Sequence, residues 1–189
     1  LTHGGELSGK LADMGVKFIP IEISRQGLNP ISDLKLFFSL FNIFRSEKPS
    51  VVLNYTIKPI IYSSIAARLC GVEKILSTVT GLGYIFTDTS LKARVIQSIV
   101  RWQYFIAFKC NKTIFFQNPD DLDLCKSKGL LGGVNTKIVN GSGVNLKYFK
   151  KPDIEKNKDS FLLIARMLKD KGIFEYIAAA KKIKEKFPH

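Results

Sequence analysis

Hydrophobic and polar positions alternate along this chain in two different patterns. Short, nearly continuous apolar runs are typical of strands buried in a parallel sheet, and longer segments with apolar residues at every third or fourth position are typical of helices. The predicted strands cover residues 16–21, 51–55, 74–79, 113–117, 136–139 and 161–165. Because helical segments separate these strands, the pattern predicts an α/β fold with helices packed on a parallel sheet.

Capping residues and helix breakers locate the helices. Proline fits a first helical turn because the N–H that it lacks has no intrahelical partner there. Residues 7–14 form the first predicted helix, Ser32 caps the second, which Pro49 follows, and the third has Pro59 in its first turn and ends at Gly71. The fourth covers residues 90–109. The fifth is capped by Asn118, has Pro119 at its first position and reaches Lys128, and the last follows Lys171 and Gly172.

The predicted helix after Ser32 is rich in phenylalanine. One face carries Leu34, Phe37, Phe38, Phe41 and Phe44, and a second stripe carries Leu36, Leu40 and Ile43. A helix that is apolar on more than one side is typical of a domain core. Basic residues also flank it, which is typical of a helix at an anionic bilayer surface: Lys35, Arg45 and Lys48. The sequence leaves both alternatives open.

Composition divides the chain into two parts joined by a charged segment. We predict an N-terminal Rossmann-like domain over residues 1–150, a linker over 151–158 and the start of a second Rossmann-like domain over 159–189. The chain starts without Met in a glycine-rich segment and stops after a helix, where an α/β chain normally continues into a strand. We therefore interpret it as an internal fragment that lacks the first strand of one domain and most of the other.

A glycine loop follows the predicted strand at residues 136–139. Gly141 and Gly143 are two positions apart, so a ligand can approach bare backbone on either side of Ser142. The spacing lacks the dinucleotide fingerprint and no helix follows closely, which disfavours an NAD site. The loop is equally compatible with a plain turn between two domains.

Two cations follow farther along the chain. The predicted strand 161–165 places Arg166 at its carboxyl end, where open α/β sheets bind their ligands. Lys171 and Gly172 begin a helix whose N-terminus attracts anions. Two positive charges and a helix N-terminus at one point indicate a diphosphate site, although two exposed charges in a basic protein are the simpler alternative.

These segments closely resemble the start of the donor-nucleotide domain in retaining, two-Rossmann glycosyltransferases of the GT-B type, glycosyltransferase family 4. The resemblance rests on residues 140–145 (NGSGVN) and 165–172 (ARMLKDKG). It implies that Arg166 and Lys171 stabilise the charge of the departing nucleoside diphosphate. It also implies that Gly141, Ser142, Gly143 and Gly172 contact the donor, and that neither a metal nor another cofactor is needed.

Three further segments resemble a narrower subgroup that adds N-acetylhexosamine units to lipid-diphosphate-linked sugars in bacterial glycan assembly. They are residues 56–62 (TIKPIIY), 80–86 (TGLGYIF) and 116–121 (FQNPDD). The resemblance implies an acceptor side formed by Lys58, Thr80, Gly81 and Gly83. Many relatives carry a histidine in the loop that here reads TVTG, so Thr80 offers only a hydroxyl. A plain surface lysine is the alternative for Lys58.

Charge restricts the partner only loosely. The chain has 29 Lys and Arg against 16 Asp and Glu, a formal net charge of +13, which attracts phosphate, nucleic acid or anionic lipid alike. The resemblance implies a nucleotide-sugar donor, a polyprenyl-diphosphate-linked acceptor and a position at the inner face of the cell membrane. A basic α/β module that binds nucleic acid is the alternative, but the aromatic residues fall on helix faces and buried strands rather than on a stacking platform.

Cysteines and acidic residues give no sign of a metal site. Cys70, Cys110 and Cys125 are far apart, which favours a reducing cytoplasm and no structural zinc. Asp120, Asp121 and Asp123 are predicted to fall in the first turn of a helix, where carboxylates favour the helix dipole, so we interpret them as caps rather than ligands. Charges interrupt the apolar segment 91–110 and argue against a membrane span.

Overall fold

The computed structural model describes residues 6–23, 29–82, 91–150, 160–165, 167 and 171–187. The chain forms two compact units, Leu1–Gly143 and Val144–His189. The predicted linker, 151–158, lies outside the described residues, and the predicted domain limits stay a prediction.

One four-stranded parallel sheet organises the first unit. Its strands are β1 (Val51–Tyr55), β2 (Lys74–Val79), β3 (Thr113–Phe116) and β4 (Asn135–Ile138), and they lie in the order β1-β2-β3-β4. All three pairings are parallel. The predicted α/β class with a parallel, Rossmann-like sheet is confirmed, and β1 and β2 have the predicted bounds.

Among the described residues, five helices belong to the first unit and one to the second. They are α1 (Glu6–Asp13), α2 (Pro30–Glu47), α3 (Ile57–Leu69), α4 (Leu91–Cys110), α5 (Pro119–Ser127) and α6 (Ile173–Lys186). Each strand pairs with the next one along the chain, so right-handed connections place α3, α4 and α5 on one face of the sheet. In agreement, α3 packs against α4 and also against α2.

The start of α2 differs from the prediction by a few residues. Asn29, not Ser32, is the N-cap: its side-chain oxygen accepts from the backbone N–H of Ile31 at 3.1 Å and of Ser32 at 3.4 Å. Pro30 occupies the first helical position, which its fixed φ suits. The N-cap therefore lies three residues before the predicted one, and the helix begins with the proline that follows it.

The buried face of α2 is the stripe that appeared secondary in the sequence. Leu36 and Leu40 are each 3% exposed and pack with Ile21 and Ala66, whereas Leu34 and Phe38 of the phenylalanine face are 57% and 54% exposed. Phe37, Phe41 and Phe44 lie between these extremes and pack partly against the same cluster. The helix is therefore a core helix on one side and an exposed apolar surface on the other.

Two predicted strands are wrong. Residues 16–21 have no regular structure, although Ile21 is buried, so this segment packs through side chains without a strand partner. Residues 161–165 are also irregular, and Phe161, Leu162 and Ile164 are exposed. A strand needs a neighbour for its backbone hydrogen bonds, and the described part of the second unit contains no strand.

The main core lies between the sheet and helices α3, α4 and α5. Its largest fully buried side chains are Tyr104, Phe108, Phe116, Ile60 and Ile114. This packing fixes α3 and α4 over the strands, and so fixes the carboxyl edge of the sheet, where the loops after each strand lie.

Candidate functional site

The carboxyl ends of four parallel strands meet at one edge of the sheet. Lys58 follows β1 as the second residue of α3, and Thr80 and Gly81 follow β2. Since β1 and β2 are neighbours in the sheet, these two loops start about 5 Å apart. Lys58, Thr80 and Gly81 therefore follow neighbouring strands at this edge, and Gly83 lies outside the described residues. Their shared role at an acceptor site stays a prediction.

Gly81 is a glycine for a conformational reason. Its φ is +150°, and no other atom of the described residues lies within 4 Å of the position that a Cβ would occupy. Within that part of the chain the backbone at Gly81 is therefore uncovered, and the neighbouring residue Thr80 is exposed. Such a surface permits a close approach by a ligand.

Thr56, the residue between β1 and α3, has a strained backbone. Its φ and ψ are +68° and +165°, a region that is populated almost only by glycine. For a β-branched residue this conformation costs about 1–3 kcal/mol. The strain lies two residues before Lys58, at the carboxyl end of β1.

Lys58 is part of a three-residue polar cluster that joins two helices. Its Nζ lies 2.7 Å from Oδ1 of Asp33, in the first turn of α2, and the side chains are only 17% and 9% exposed. The Tyr62 hydroxyl donates to the other carboxylate oxygen of Asp33 at 3.0 Å. Both oxygens of this carboxylate are therefore bound.

Tyr62 keeps its proton throughout the physiological range. Burial raises its pKa to about 12, and the charge of Asp33 and the hydrogen bond to it add to the increase, while a hydrogen bond with Gln103 opposes it. The phenol therefore remains a donor to Asp33.

A buried polar network lies beneath α3. Asn54 of β1 donates to the hydroxyls of Ser64 at 3.0 Å and Ser77 at 3.3 Å, and accepts from Ser63 at 2.6 Å. Asn111, which follows α4, accepts from Ser77 at 2.7 Å and donates to Ser64 at 2.9 Å. Strands β1 and β2, helix α3 and the end of α4 are thereby linked through side chains.

The loop after β4 returns to the same edge. Gly141 and Gly143 have φ values of +75° and +69°, in the left-handed region that favours glycine. The side chain of Gln117, just after β3, donates to the Ser142 hydroxyl at 3.2 Å. This part of the predicted donor loop therefore lies next to the end of β3.

Asn118 is the N-cap of the helix after β3, and Asp121 binds to its side chain. The side chain of Asn118 accepts from the backbone N–H of Asp121 at 2.7 Å and donates to the Asp121 carboxylate at 2.7 Å. Pro119 opens α5 as predicted. The interpretation of Asp121 as a capping residue is confirmed, whereas for Asp123 it is wrong, because Asp123 lies beyond the first turn and pairs with Lys126 at 3.4 Å.

The second unit contains the predicted phosphate-binding residues. Lys171 is exposed directly before Gly172, which is the N-cap of α6 with φ of +72°. Arg166 lies outside the described residues. The predicted grouping of Arg166 and Lys171 therefore remains a prediction.

Sequence reasoning missed several residues at this site. Asp33 lies 25 positions from Lys58, and nothing in the spacing connects them. Asn54 and Ser77 are polar residues within two apolar strands. Because buried polar groups need hydrogen-bond partners, this pattern could have indicated the polar network that links these strands. A backbone outlier such as Thr56 has no sequence signal.

Family membership follows from a match over more than half of the chain. Residues 2–118, which include β1 to β3 and the loops carrying Lys58, Thr80 and Gly81, match the family described as glycosyl transferase 4-like. The chain belongs to this family.

Two curated relatives match almost the whole chain. One is the N,N'-diacetylbacillosaminyl-diphospho-undecaprenol alpha-1,3-N-acetylgalactosaminyltransferase of Campylobacter jejuni, 29% identical over 96% of this chain and 51% of the relative. The other is the UDP-Gal:alpha-D-GlcNAc-diphosphoundecaprenol alpha-1,3-galactosyltransferase of Escherichia coli, 26% identical over 97% of this chain and 49% of the relative. The chain spans about half the length of these relatives.

Among solved structures, the MurG protein of Acinetobacter baumannii is similar to this chain. The TM-score is 0.45 at 17% identity, over 77% of this chain and 36% of that protein.

Proposed function

We propose that this glycosyl transferase 4-like chain forms the acceptor side, and the start of the donor side, of a retaining glycosyltransferase. The enzyme transfers a hexose or N-acetylhexosamine from a UDP-sugar to a saccharide linked to a polyprenyl diphosphate. The observation that carries the proposal is the carboxyl edge of the sheet, where a fixed lysine and a bare glycine backbone follow two neighbouring strands. Both curated relatives are named for acceptors of this kind.

On the acceptor side, the diphosphate of the lipid carrier is the group that a fixed cation recognises. Lys58 supplies the charge, and the first turn of α3 contains no acidic residue. The open backbone at Gly81 and the hydroxyl of Thr80 accommodate the saccharide. Hydrogen bonding and shape select the sugar, while the ammonium group holds the carrier.

On the donor side, the chemistry needs positive charge at the leaving group. Cleavage of the sugar–phosphate bond leaves negative charge on the nucleoside diphosphate, and preorganised cations stabilise that charge in the transition state. Arg166 and Lys171 supply it in this proposal, and Gly172 permits close approach at the N-terminus of α6.

Exposed apolar residues on two helices support peripheral contact with the inner face of the cell membrane. Ile31, Leu34 and Phe38 share one face of α2, and Val95, Ile99 and Trp102 share one face of α4. Tryptophan is enriched at the interface between bilayer and water. None of the described helices is long and apolar enough to cross a membrane. The two faces therefore support lateral binding to a bilayer that contains the acceptor.

Transfer by the complete protein tests the proposal. Purified enzyme is mixed with undecaprenyl-diphosphate-linked N-acetylglucosamine in detergent and with UDP-galactose, UDP-N-acetylgalactosamine or UDP-N-acetylglucosamine in turn, and products are identified by mass spectrometry. We expect one donor to give a disaccharide whose new linkage is α by NMR. The same saccharide without the lipid diphosphate is the control and should react poorly.

Two results would contradict the proposal. Transfer with the opposite anomeric outcome would exclude the retaining mechanism. Absence of transfer to every lipid-linked acceptor, together with tight binding of nucleic acid that weakens steeply with salt, would favour the basic binding module instead.

A further inference from the structure

We propose that Asp33 is a positioning residue that holds the Lys58 ammonium where it binds the diphosphate of the acceptor. This inference rests on the proposed function, because it assigns a role to a partner of the proposed acceptor lysine. The observation is the short ion pair between residues of two different helices at the carboxyl edge of the sheet.

The geometry restricts the lysine to one place. A lysine side chain has four rotatable bonds and normally samples many positions, but Nζ of Lys58 is held 2.7 Å from Asp33. An ammonium group has three N–H donors, of which the contact with Asp33 uses one. The group is therefore oriented while it keeps donors for a phosphate oxygen.

The carboxylate is itself fixed. Its second oxygen accepts from the Tyr62 hydroxyl at 3.0 Å, and the side chain is only 9% exposed. The carboxylate therefore cannot turn away from Lys58 without losing its bond to Tyr62.

The location of Lys58 argues against a purely structural role for the pair. A cation in the first turn of a helix is opposed by the helix dipole, so Lys58 does not stabilise α3 through its charge. The residue also follows the strained backbone of Thr56. A buried ion pair is often no more stabilising than apolar residues of the same size. Ligand binding gives a reason for a charge at this point.

The first experiment measures kinetics in the complete enzyme with Asp33→Asn, Lys58→Met and the double variant. Asp33→Asn keeps the size of the side chain but removes its charge. We expect KM for the lipid-diphosphate acceptor to rise about tenfold to a hundredfold, as for loss of one oriented charged contact. The KM for the UDP-sugar should change less than about twofold, since this loss affects acceptor binding alone.

The double variant separates positioning from folding. If Asp33 acts through Lys58, Asp33→Asn adds little to the loss already caused by Lys58→Met. Asp33→Glu should restore part of the acceptor affinity. The control is Glu47→Gln, which removes the carboxylate of the exposed pair with Lys17 at the other end of α2 and should leave acceptor KM unchanged.

The second experiment measures equilibrium binding of farnesyl diphosphate by calorimetry, and so does not depend on turnover. The expected result is weaker binding in Asp33→Asn than in wild type, and no further weakening in the double variant. Additive losses, or equal increases in the donor and acceptor KM, would overturn the positioning role. An active wild-type enzyme with an unaffected Asp33→Asn variant would refute this inference alone, whereas absence of both transfer and binding would refute it together with the proposed function.

Discussion

Removal of one buried hydroxyl should stabilise the protein. Tyr104 is fully buried, and its hydroxyl has no hydrogen-bond partner among the described residues. Its ring packs on Phe108 at 5.1 Å between centroids, and burial, followed by the charges of Cys125 and Asp121, raises its pKa strongly. Tyr104→Phe removes the unpaired hydroxyl and keeps the ring.

The magnitude follows from the cost of an unsatisfied polar group. A buried donor without a partner costs about 1–3 kcal/mol, so Tyr104→Phe should raise the free energy of unfolding by about 1–2 kcal/mol. The melting temperature should rise by a few degrees. Most single substitutions destabilise a protein, so the predicted sign is the informative part.

A second tyrosine provides the matched control. Tyr62→Phe deletes the same atom, but that hydroxyl donates to the Asp33 carboxylate. Its loss should lower the free energy of unfolding by about 1–2 kcal/mol, because hydrogen bonds to charged groups are among the stronger ones. Urea titration of both variants in the complete protein, followed by circular dichroism, measures the two values. Equal destabilisation by both would refute the reasoning and indicate that the Tyr104 hydroxyl is bound to a buried water.

Three further substitutions or conditions test the rest of the structure. Asn111→Ala should destabilise the protein by about 2–4 kcal/mol in urea titrations, since it leaves two buried serine hydroxyls with fewer partners; a loss below about 0.5 kcal/mol would show that the network contributes little. The folded protein should lose stability as pH rises above about 9. Burial raises the pKa of Cys125 from 9.0 to about 12 and that of Tyr62 from 10.0 to about 12, so the unfolded chain releases these protons at a lower pH than the folded protein does, and rising pH favours unfolding. A urea midpoint that rises between pH 8 and pH 11 would contradict this. Thr56→Gly should relieve about 1–2 kcal/mol of strain and raise the melting temperature while it lowers kcat/KM for the acceptor; an unchanged melting temperature would show that the threonine is not strained.

Sequence patterns predicted the sheet well because its strands are locally encoded. The bounds of β1 and β2 match the prediction, β3 ends one residue earlier than predicted, and β4 is shifted by one residue. Asn118 and Pro119 identified the start of α5, because caps act within a single turn. In these places the sequence signal and the structural cause lie within a few residues of each other.

The site was only partly predictable because its geometry depends on distant residues. Lys58 was identified through its place after a strand, but its contact with Asp33 requires α2 and α3 to pack together. The two wrong strands have the same origin, since an apolar run becomes a strand only when a neighbouring backbone is available. The side-chain network beneath α3 likewise joins positions that are far apart in the chain.

The network of Asn54, Ser64, Ser77 and Asn111 has a consequence for how the chain folds. Asn54 and Ser77 are directly opposite each other in the parallel ladder. If β1 slipped by one residue, the Asn54 amide would turn to the opposite face of the sheet, and the buried hydroxyls of Ser63, Ser64 and Ser77 would each lose one partner. A misaligned sheet therefore lacks these hydrogen bonds, and the correct alignment gains its full set only after α3 and the end of α4 have docked. The network thus favours the correct strand register during folding.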